Sequence, residues 1–441
     1  MIVLSLRYEI KLVFTFLLFI FFQKEIKAQS YFPPLTGKQW DTISPAQLNW
    51  CTDSIPSLLN FVGENNSKGL LILVDGKIAI EKYYGTFTQD SIWYWASAGK
   101  SLLATTIGIA AQENLIDIQK PSSYYLDTAW TSCTGADELK IKIVNQLSMT
   151  SGLNDNVPDV DCTSPSCLTC IATPGTRWAY HNAVYTLLED VVVSATGQSL
   201  NAYLTSKIKP KTGLTGLYVK QGYNNVFFSN ARSMARFGLL AQNNFIWNGD
   251  TVLKDGIYKT QMTNTSQNLN LSYGYLWWLN GKSSFMLPNS QFVFNAPLLP
   301  DAPSDLFTAL GKNGQIINVI PSKKIVLIRI GDRPNNANEL PMIFNNEIWK
   351  RLNNVICNSS VGISESKFQP KIYPNPSNNF IFIDYPEILT NISIYNTLGQ
   401  IQSVKYENNK ADVSSLPYGT YTIVITKGDA IFRSKLVVGS R

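Results

Sequence analysis

Blocks of apolar residues alternate with polar ones along the chain, at spacings that predict a sheet packed between helices. Apolar positions recur with helical spacing from Cys51 to Val62 and again from Met342 to Ile356, which predicts an amphipathic helix at each place. The apolar runs Leu70–Val74 and Ile78–Tyr83 flank Asp75-Gly76, a dipeptide typical of a two-residue β-hairpin turn. These patterns predict a helix, then a hairpin, and a second helix much later in the chain.

Two further β-rich runs, Tyr273–Leu279 and Ile316–Ile330, precede the later helix. A long apolar helical run ends near Glu113, and the region between it and these strands has mixed helical and loop character. Strands that follow one another through short turns usually pair as antiparallel neighbours. We therefore predict an α+β fold over residues 40–357, with an antiparallel sheet flanked by helices and a mostly helical insert domain.

The composition changes near residue 358, which predicts a second and smaller domain. Residues 358–366 are rich in Asn, Ser and Gly and predict a linker. Residues 367–441 hold short strand-like runs between turns, namely Phe380–Asp384, Ile392–Tyr395, Thr420–Ile425 and Phe432–Val438. Such runs predict a small all-β sandwich. This segment contains no cysteine or histidine, and we expect no chemistry from it.

Residues 1–28 have the composition of a secretory signal peptide. Arg7 and Lys11 supply a positive flank, Leu12–Phe22 an apolar core, and Ala28 a small residue at the cleavage end. A retained N-terminal anchor is the alternative, although this apolar run is short for a bilayer span and no later run is long enough. We expect an exported protein with no transmembrane segment in its mature chain.

Export bears on the cysteines, of which the chain has six: Cys51, Cys133, Cys162, Cys167, Cys170 and Cys357. An even number in an exported chain predicts disulfides, although spacing alone leaves the pairing open. Cys162, Cys167 and Cys170 lie close together, but a zinc knuckle needs four such ligands. Free buried thiols are the remaining alternative for some of them.

Charge and histidine content exclude several classes of function. The formal net charge is +6 over 441 residues and the basic residues are scattered, so no basic patch is available for nucleic acid. The chain has a single histidine, His181. A His-rich metal site is therefore excluded, and a Ser-His-Asp triad could use only that residue. We expect no metal and no cofactor.

Ser97-Ala98-Gly99-Lys100 is the first motif that could carry chemistry. A serine and a lysine three positions apart at the start of a helix share one face, with their Cβ atoms about 5–6 Å apart. Burial and nearby charge can keep such a lysine partly deprotonated, so that it takes the serine proton. The same pattern also arises because serine caps helices well, so the motif needs support from the rest of the chain.

Tyr180-His181-Asn182 is the second motif. A phenol beside a lysine ammonium has a lowered pKa, so Tyr180 could accept the serine proton and return it to a leaving group. The Asn182 amide could bond a substrate carbonyl or fix the lysine. The structural alternative is that Tyr180 is a core aromatic residue and Asn182 caps the helix that follows.

The third motif runs from Ala309 to Gln315 and contains Gly311 and Gly314, directly before an apolar strand. Glycines here would let a strand backbone come close to a ligand and supply one N–H of an oxyanion hole, opposite that of Ser97. An ordinary β-turn between two strands is the alternative.

In this order the three motifs resemble the serine β-lactamase-like family, which includes class C β-lactamases, penicillin-binding DD-peptidases, related esterases and 6-aminohexanoate-dimer hydrolases. Two flanking segments agree with it. Gln146–Leu153 is similar to the family's LLTHTSGL segment, and Ala231–Leu240 is similar to its ARDMARFGLL helix. The resemblance covers roughly residues 40–357.

The resemblance implies a role for each matching residue. Ser97 would be acylated, Lys100 and Tyr180 would share proton transfer, and Asn182 would orient the substrate. The reaction implied is the cleavage of an ester, amide or peptide through an acyl-enzyme, without a cofactor.

The third motif departs from the family pattern, and this bears on the substrate. The family usually has Lys-Thr-Gly or His-x-Gly, whose cation helps to hold a substrate carboxylate, whereas this chain has Ala309-Leu310-Gly311. Gly311 and Lys312 are the candidate substrate-binding residues here, and Lys312 could supply the cation from a neighbouring position. We expect an ester or amide hydrolase. A DD-peptidase or β-lactamase, or a non-catalytic ligand-binding surface protein on the same fold, is the alternative.

The C-terminal segment resembles the sorting domain of the type IX secretion system of Bacteroidetes. The matching segments are Ile372–Ser377, Ile394–Gln400, Leu416–Tyr421 and Lys435–Val438. This implies passage through the periplasm, contact with the type IX secretion machinery, and a final place on the cell surface or outside the cell. A structural adhesin is the further alternative. It rests only on this domain, which directs secretion and implies no activity of its own.

The family fold also implies disulfide pairings. Its first and last helices pack side by side, which would bring Cys51 near Cys357. Cys162 and Cys167 are the second candidate pair.

Overall fold

The structure is a computed structural model, which describes residues 30–335, 340–357, 370–384, 391–427 and 430–439. The predicted signal peptide at 1–28 and the predicted linker at 358–366 lie outside these residues. The chain divides into two units between Cys357 and Asn358, and each unit has a hydrophobic core of its own.

The α-helices of the larger unit are mostly short. In chain order, α1 to α12 are Ile55–Glu64, Gly99–Gln112, Ser123–Leu126, Gly135–Glu138, Ile143–Leu147, Asn182–Thr186, Leu188–Thr196, Leu200–Lys207, Lys209–Thr212, Ala231–Gln242, Gly256–Thr263 and Met342–Ile356. The predicted helix over Cys51–Val62 is a 3-10 turn at Thr52–Ser54 followed by α1. Pro56 lies in the first turn of α1, the part of an α-helix that tolerates proline.

The strands of the larger unit form one main sheet and several smaller ones. In chain order, β1 to β13 are Ser67–Val74, Lys77–Tyr83, Trp93–Tyr94, Leu217–Gln221, Asn224–Ser229, Ile246–Trp247, Asp250–Thr251, Trp278–Leu279, Phe285–Met286, Val293–Phe294, Phe307–Gly311, Gln315–Ile320 and Ile325–Gly331. Six of them form an antiparallel sheet in the order β2-β1-β13-β12-β11-β8. The predicted hairpin is confirmed, with Asp75 and Gly76 at φ of 48° and 84° between β1 and β2.

The apolar run Tyr273–Leu279 is a strand only at its end, which corrects the prediction. Trp278–Leu279 alone pairs with β11, as β8. Leu276 adopts a left-handed conformation with φ of 57°, which no regular strand allows. Tyr273 and Trp277 pack into clusters of aromatic rings. Burial of large rings in the core therefore explains this apolar run better than strand pairing does.

The sheet is covered by helices, as the α+β prediction requires. Helix α10 packs on β12 and β13, while α1 packs on β1 and on α12. Both β12 and β13 are buried along their whole length. A strand that is buried at every position has both of its faces covered, so the central strands lie between two helical layers.

Three disulfides join the cysteines of this unit. Cys51 is bonded to Cys357 with a Cα–Cα distance of 5.5 Å, which ties the start of the helical region to the end of α12 across 306 residues. Cys162 is bonded to Cys167, and the remaining pair is Cys133 with Cys170. The three clustered cysteines that a zinc site would have needed are therefore all held in disulfides.

The smaller unit consists of two antiparallel four-stranded sheets. Its strands β14 to β21 are Lys371–Tyr373, Phe380–Asp384, Asn391–Tyr395, Ile401–Gln402, Lys405–Glu407, Lys410–Asp412, Gly419–Lys427 and Ala430–Val438. The sheets have the orders β14-β15-β19-β18 and β17-β16-β20-β21, and apolar residues of both contribute to one core, among them Ile381, Ile383 and Ile423. This agrees with the predicted all-β sandwich.

Candidate active site

Ser97 lies in a tight turn that the surrounding structure holds firmly. It occupies the middle of the 3-10 turn Ala96–Ala98, which leads directly into α2. Ala96 has a left-handed φ of 46°, a conformation that costs energy for a residue other than glycine. Trp95 ties this turn to strand β5. Its indole N–H donates to Ser229 Oγ at 2.7 Å, and its backbone N–H donates to the carbonyl of Phe227 at 2.8 Å.

Gly99 allows α2 to start against strand β5. A Cβ at this position would lie 3.3 Å from Phe227 Cβ, and the Tyr218 hydroxyl donates to the Gly99 carbonyl at 2.9 Å. The helix can therefore begin within one turn of Ser97, which puts Ser97 and Lys100 on the same face. The side chain of Lys100 is only 3% exposed.

Lys100 is the centre of a short hydrogen-bond network. Its Nζ lies 2.8 Å from Ser97 Oγ and donates to Asn182 Oδ1 at 3.0 Å. The same Nζ lies over the rings of Tyr180 and Tyr185, at 5.0 and 4.1 Å from their centroids. The two motifs that the sequence separates by about eighty residues are thus in direct contact.

Burial controls the protonation of Lys100. Removal from water lowers the pKa of Lys100 from 10.5 to about 7, and the carboxylate of Asp161 opposes this shift. The sequence prediction of a partly deprotonated lysine agrees with this value. Burial alone accounts for it, however, since the nearby charge acts in the other direction.

Tyr180 keeps its proton at neutral pH, which makes the predicted lowering of its pKa wrong. Burial raises the pKa of Tyr180 well above its usual value, and the hydrogen bond with Ser97 offsets only part of that rise. The ring is held among other rings, stacked on Trp278 at 5.8 Å and edge-on to Tyr273 at 6.2 Å. A weakly charged Lys100 beside it cannot compensate for this desolvation.

The single histidine points away from the nucleophile. His181 is 1% exposed, its Nε2 lies 3.0 Å from the carbonyl of Asn154, and burial lowers its pKa. It lies between Tyr180 and Asn182 in sequence, yet it does not line the cavity that both of them border. A Ser-His-Asp arrangement with Ser97 is therefore absent among the described residues.

Strand β11 brings the third motif next to the turn that carries Ser97. A Cβ on Gly311 would lie 2.3 Å from the carbonyl oxygen of Trp95, so only glycine lets the strand pack against the turn that carries Ser97. Strand β8 pairs with β11 only at Phe307 and Thr308. Beyond Thr308 the edge of β11 is not covered by β8, and Leu310 and Lys312 line the cavity there.

Ala309, the position aligned with the family's cation, belongs to the core. It is 1% exposed and does not border the cavity. Lys312 is an exposed residue at the cavity wall. Within the third motif of this chain, Lys312 is thus the cation within reach of a ligand.

These residues surround a cavity of about 610 Å³. Its wall combines the catalytic candidates with several amides, one carboxylate and a few apolar side chains: Tyr94, Ala96, Ser97, Lys100, Val160, Asp161, Tyr180, Asn182, Tyr185, Gln221, Asn224, Asn225, Val226, Leu287, Pro288, Asn289, Leu310, Lys312 and Leu340. A cavity of this size accepts a small organic molecule. The nucleophile candidate is therefore accessible to a substrate.

Family models match both units of the chain. The family model described as Beta-lactamase matches residues 64–340. The chain belongs to the β-lactamase family. In this β-lactamase-family protein, the model described as Secretion system C-terminal sorting domain matches residues 371–439. The type IX sorting domain marks the protein for the cell surface or the outside of the cell, and none of the helices in the described part of the chain could cross a bilayer.

Individual relatives of this β-lactamase-family protein are distant. An uncharacterized protein of Alkalihalophilus pseudofirmus is 24% identical over 300 residues, which cover 59% of this chain and 82% of that protein. A Bacillus anthracis structure assigned as a 6-aminohexanoate-dimer hydrolase has a TM-score of 0.56 at 17% identity and covers 74% of this chain and 91% of its own. A Bacteroides dorei structure assigned as a β-lactamase has a TM-score of 0.54 at 18% identity, with coverages of 69% and 98%. These similarities establish the shared fold.

Arg329 and Asp161 are among the residues of the site that escaped the sequence analysis. Arg329 is completely buried in β13 and donates to the carbonyls of Asn313 and Gly314 at 2.7 and 3.0 Å, which fixes the turn after Gly311. An arginine in the middle of the apolar run of β13 was the available signal. Asp161 gave no such signal, because an aspartate beside a cysteine in a polar loop is an ordinary loop residue.

Proposed function

We propose that this protein is a secreted serine hydrolase that cleaves an ester or amide through an acyl-enzyme on Ser97. One observation carries the proposal: a lysine whose pKa is about 7 has its Nζ 2.8 Å from a serine Oγ at the wall of a substrate-sized cavity. A deprotonated amine at this distance can act as the general base for the serine.

In acylation, Lys100 takes the Ser97 proton while Oγ forms a bond to the substrate carbonyl carbon. Asn182 Oδ1 accepts one Nζ–H, which would leave the lone pair of a neutral Nζ available to the Ser97 hydroxyl 2.8 Å away. Ser97 lies at the start of α2, where backbone N–H groups lack helical acceptors. Its N–H and the open edge of β11 near Gly311 would stabilise the oxyanion.

Tyr180 would serve as the acid for the leaving group. Its phenol is protonated at neutral pH and hydrogen-bonded to Ser97, so it can donate to the departing nitrogen or oxygen and recover a proton from Lys100. In deacylation, water would attack the ester carbonyl while Lys100 takes its proton, and Ser97 would leave with a proton restored. Lys100 and Tyr180 thus share proton transfer, with Lys100 as the base.

The substrate class follows from the charges of the third motif. The aligned position, Ala309, offers no cation and lies in the core, so a substrate without a carboxylate is favoured. One observation supports the second candidate, a β-lactamase or DD-peptidase: Lys312 borders the cavity and could meet a carboxylate there. The similar structures are assigned as a 6-aminohexanoate-dimer hydrolase and a β-lactamase, which is compatible with both candidates.

The non-catalytic alternative has less support. A ligand-binding protein needs a cavity, but it has no chemical need for a serine, a nearly neutral lysine and a tyrosine in mutual contact. Keeping Lys100 buried costs folding free energy because its pKa is lowered. The base role of Lys100 explains that cost.

Paired kinetics would decide between the substrate classes. The kcat/KM values for a p-nitrophenyl ester and a chromogenic cephalosporin are measured on one preparation, with Ser97→Ala as the control. A hydrogen bond to a charged group is worth about 1.5–3 kcal/mol, so we expect the ester to be favoured about tenfold or more. A cephalosporin value equal to or above the ester value, lost in Lys312→Ala, would reverse the ranking.

A further inference from the structure

A small antiparallel sheet with the strand order β3-β5-β4 leads into the turn that carries Ser97. One face of this sheet is buried. Trp95, which directly follows β3, and Tyr218 of β4 pack their rings against Phe227 of β5, with centroids 4.8 and 4.9 Å apart. Successive side chains of a strand point to opposite faces. The residues that alternate with this buried set therefore form the opposite face of the sheet.

The strand register identifies the members of that opposite face. Tyr94 pairs with Phe228, and Phe228 pairs with Leu217, so these three residues form one row across the sheet. Val226 and Val219 pair with each other in the next row toward the β4–β5 turn. Directly paired residues of antiparallel strands share a face. These five side chains constitute the outer face of the sheet.

The outer face is apolar, and it is exposed along strand β4. Leu217 is 50% exposed and Val219 is 38% exposed, while the other three side chains are half-buried. None of the five is charged. Single exposed apolar residues are ordinary on protein surfaces. Here they are neighbours on strands about 4.8 Å apart, and a contiguous apolar surface of this kind marks a binding site.

The outer face continues the wall of the active-site cavity. Tyr94 and Val226 belong to the outer face and also border that cavity, whereas Leu217 and Val219 lie beyond the cavity lining. A chain that leaves the cavity over Val226 would next meet Val219, its pair on the neighbouring strand. From β3 to β4 the face extends over two strand spacings, or about 10 Å. It is therefore wide enough for an alkyl chain of medium length.

Tyr94 gives the boundary between cavity and outer face an apolar character. Its hydroxyl accepts a hydrogen bond from Asn313 Nδ2 at 2.8 Å, which ties it to the turn after the third motif. Its ring lies edge-on to Phe228, with centroids 6.3 Å apart. The hydroxyl is thus already used within the protein, and the ring is held at both ends. The part of Tyr94 that a ligand can share is the aromatic surface.

Strand β4 is the last strand of this sheet, but its edge is closed to a further strand. The Asn201 side chain donates to the Tyr218 carbonyl and accepts from the Tyr218 backbone N–H, both at 2.8 Å. The exposed Lys220 follows two positions later, and a lysine on an edge strand opposes pairing with another chain. The outer face consequently suits a flexible apolar chain that lies on side chains, rather than a β-strand of a protein partner.

We propose that the outer face binds an apolar chain of the substrate, so that the enzyme prefers esters or amides with a medium-length alkyl chain over their acetyl counterparts. The cavity holds the bond that is cleaved, and the outer face removes part of the chain from water. This inference rests on the proposed hydrolase function of Ser97 and names its substrate class.

Two substrate series test the inference and locate the chain. The first is p-nitrophenyl esters with acyl chains of two to ten carbons, and the second is acetate esters of alcohols of the same lengths. A fully buried methylene changes an equilibrium constant about fourfold. An open face covers about half of the chain, so we expect kcat/KM to rise about twofold per methylene, and at least tenfold from four to eight carbons, in one of the series. Values that stay flat or fall beyond four carbons in both series would overturn the inference.

Substitutions on the outer face separate it from the cavity. Leu217→Asn combined with Val219→Thr replaces two exposed apolar side chains by polar ones of similar size. This variant should lower the value for the eight-carbon ester at least fivefold and leave the acetate within twofold. Ile257→Asn, at a 79% exposed position of α11, is the matched control and should change neither. A chain-length preference that survives in the double variant would overturn the inference, as would a wild-type dimer in sedimentation that the double variant abolishes.

Binding gives a readout that does not depend on turnover. Calorimetry compares octanamide with butanamide on Ser97→Ala, with and without the two substitutions on the outer face. Tighter binding of octanamide that requires Leu217 and Val219 supports the apolar site even if no ester is hydrolysed, in which case the hydrolase function alone fails. Equal binding of the two amides would overturn the apolar site even if short esters are cleaved.

Discussion

Replacing Lys100 by methionine tests the protonation state on which the catalytic proposal depends. Methionine is of similar length and carries no charge, so it fills the same buried space. In the folded protein the pKa of Lys100 is about 7, and its ordinary value is 10.5. The unfolded chain therefore binds a proton at this residue between these two pH values, whereas the folded protein largely does not.

This difference sets the sign and the size of the effect. Because the unfolded state binds more protons, the free energy of unfolding of the wild type rises with pH across this window. At 1.36 kcal/mol per pKa unit, the shift from 10.5 to about 7 corresponds to about 5 kcal/mol in total. In the folded protein Lys100 is half-protonated at pH 7. The free energy of unfolding therefore gains about 2 kcal/mol of this total between pH 7 and pH 9. Lys100→Met lacks this term and should be more stable than the wild type at pH 7, by a margin that shrinks as pH rises.

Denaturant unfolding followed by tryptophan fluorescence measures this margin. All ten tryptophans lie before residue 358, so the signal reports on the unit that contains Lys100. Lys82→Met, at an exposed position of β2, is the control for loss of any lysine charge. Curves for wild type and Lys100→Met that stay parallel from pH 7 to pH 9 would refute the reasoning, because Lys100 would then remain charged when folded and could not be the base.

Three further substitutions have defined outcomes. Tyr180→Phe keeps the ring packing and removes only the hydroxyl, so kcat on a p-nitrophenyl ester should fall about hundredfold or more; an unchanged kcat would exclude Tyr180 from proton transfer. Gly311→Ala places a methyl group 2.3 Å from the Trp95 carbonyl, so β11 must move and kcat/KM on the same ester should fall at least tenfold; normal activity would contradict the close packing. Joint replacement of Cys51 and Cys357 by serine should destabilise the larger unit by up to about 5 kcal/mol in the chain-entropy picture, lowering Tm in calorimetry while kcat at 25 °C stays the same; an unchanged Tm would mean that the bridge contributes no stability.

The sequence predicted the scaffold of the site well because local patterns determine it. Helix α12 forms over Met342–Ile356, as its apolar spacing predicted. The hairpin turn at Asp75-Gly76 forms because these residues adopt positive φ easily. The order of Ser97, Lys100 and Tyr180 along the chain was enough to indicate a family, and the family model matches.

Protonation and fine specificity could not be predicted in the same way. The pKa directions of Tyr180 and Lys100 depend on how deeply each is buried, which follows from rings and strands far apart in sequence. Leu217 and Val219 are ordinary strand residues until the strand register places them beside Val226 and the cavity that it borders. The run Tyr273–Leu279 misled the strand prediction because aromatic residues favour strands and buried loops alike.

Mass spectrometry after reaction with a fluorophosphonate probe tests the central claim most directly. A serine hydrolase whose nucleophile is Ser97 should gain one covalent adduct, located by peptide mapping on Ser97, and the labelling rate should rise with pH around the Lys100 pKa of about 7. Ser97→Ala, which leaves the rest of the cavity in place, should gain none. Labelling of another residue, or equal labelling of wild type and Ser97→Ala, would contradict the assignment of Ser97 as the nucleophile.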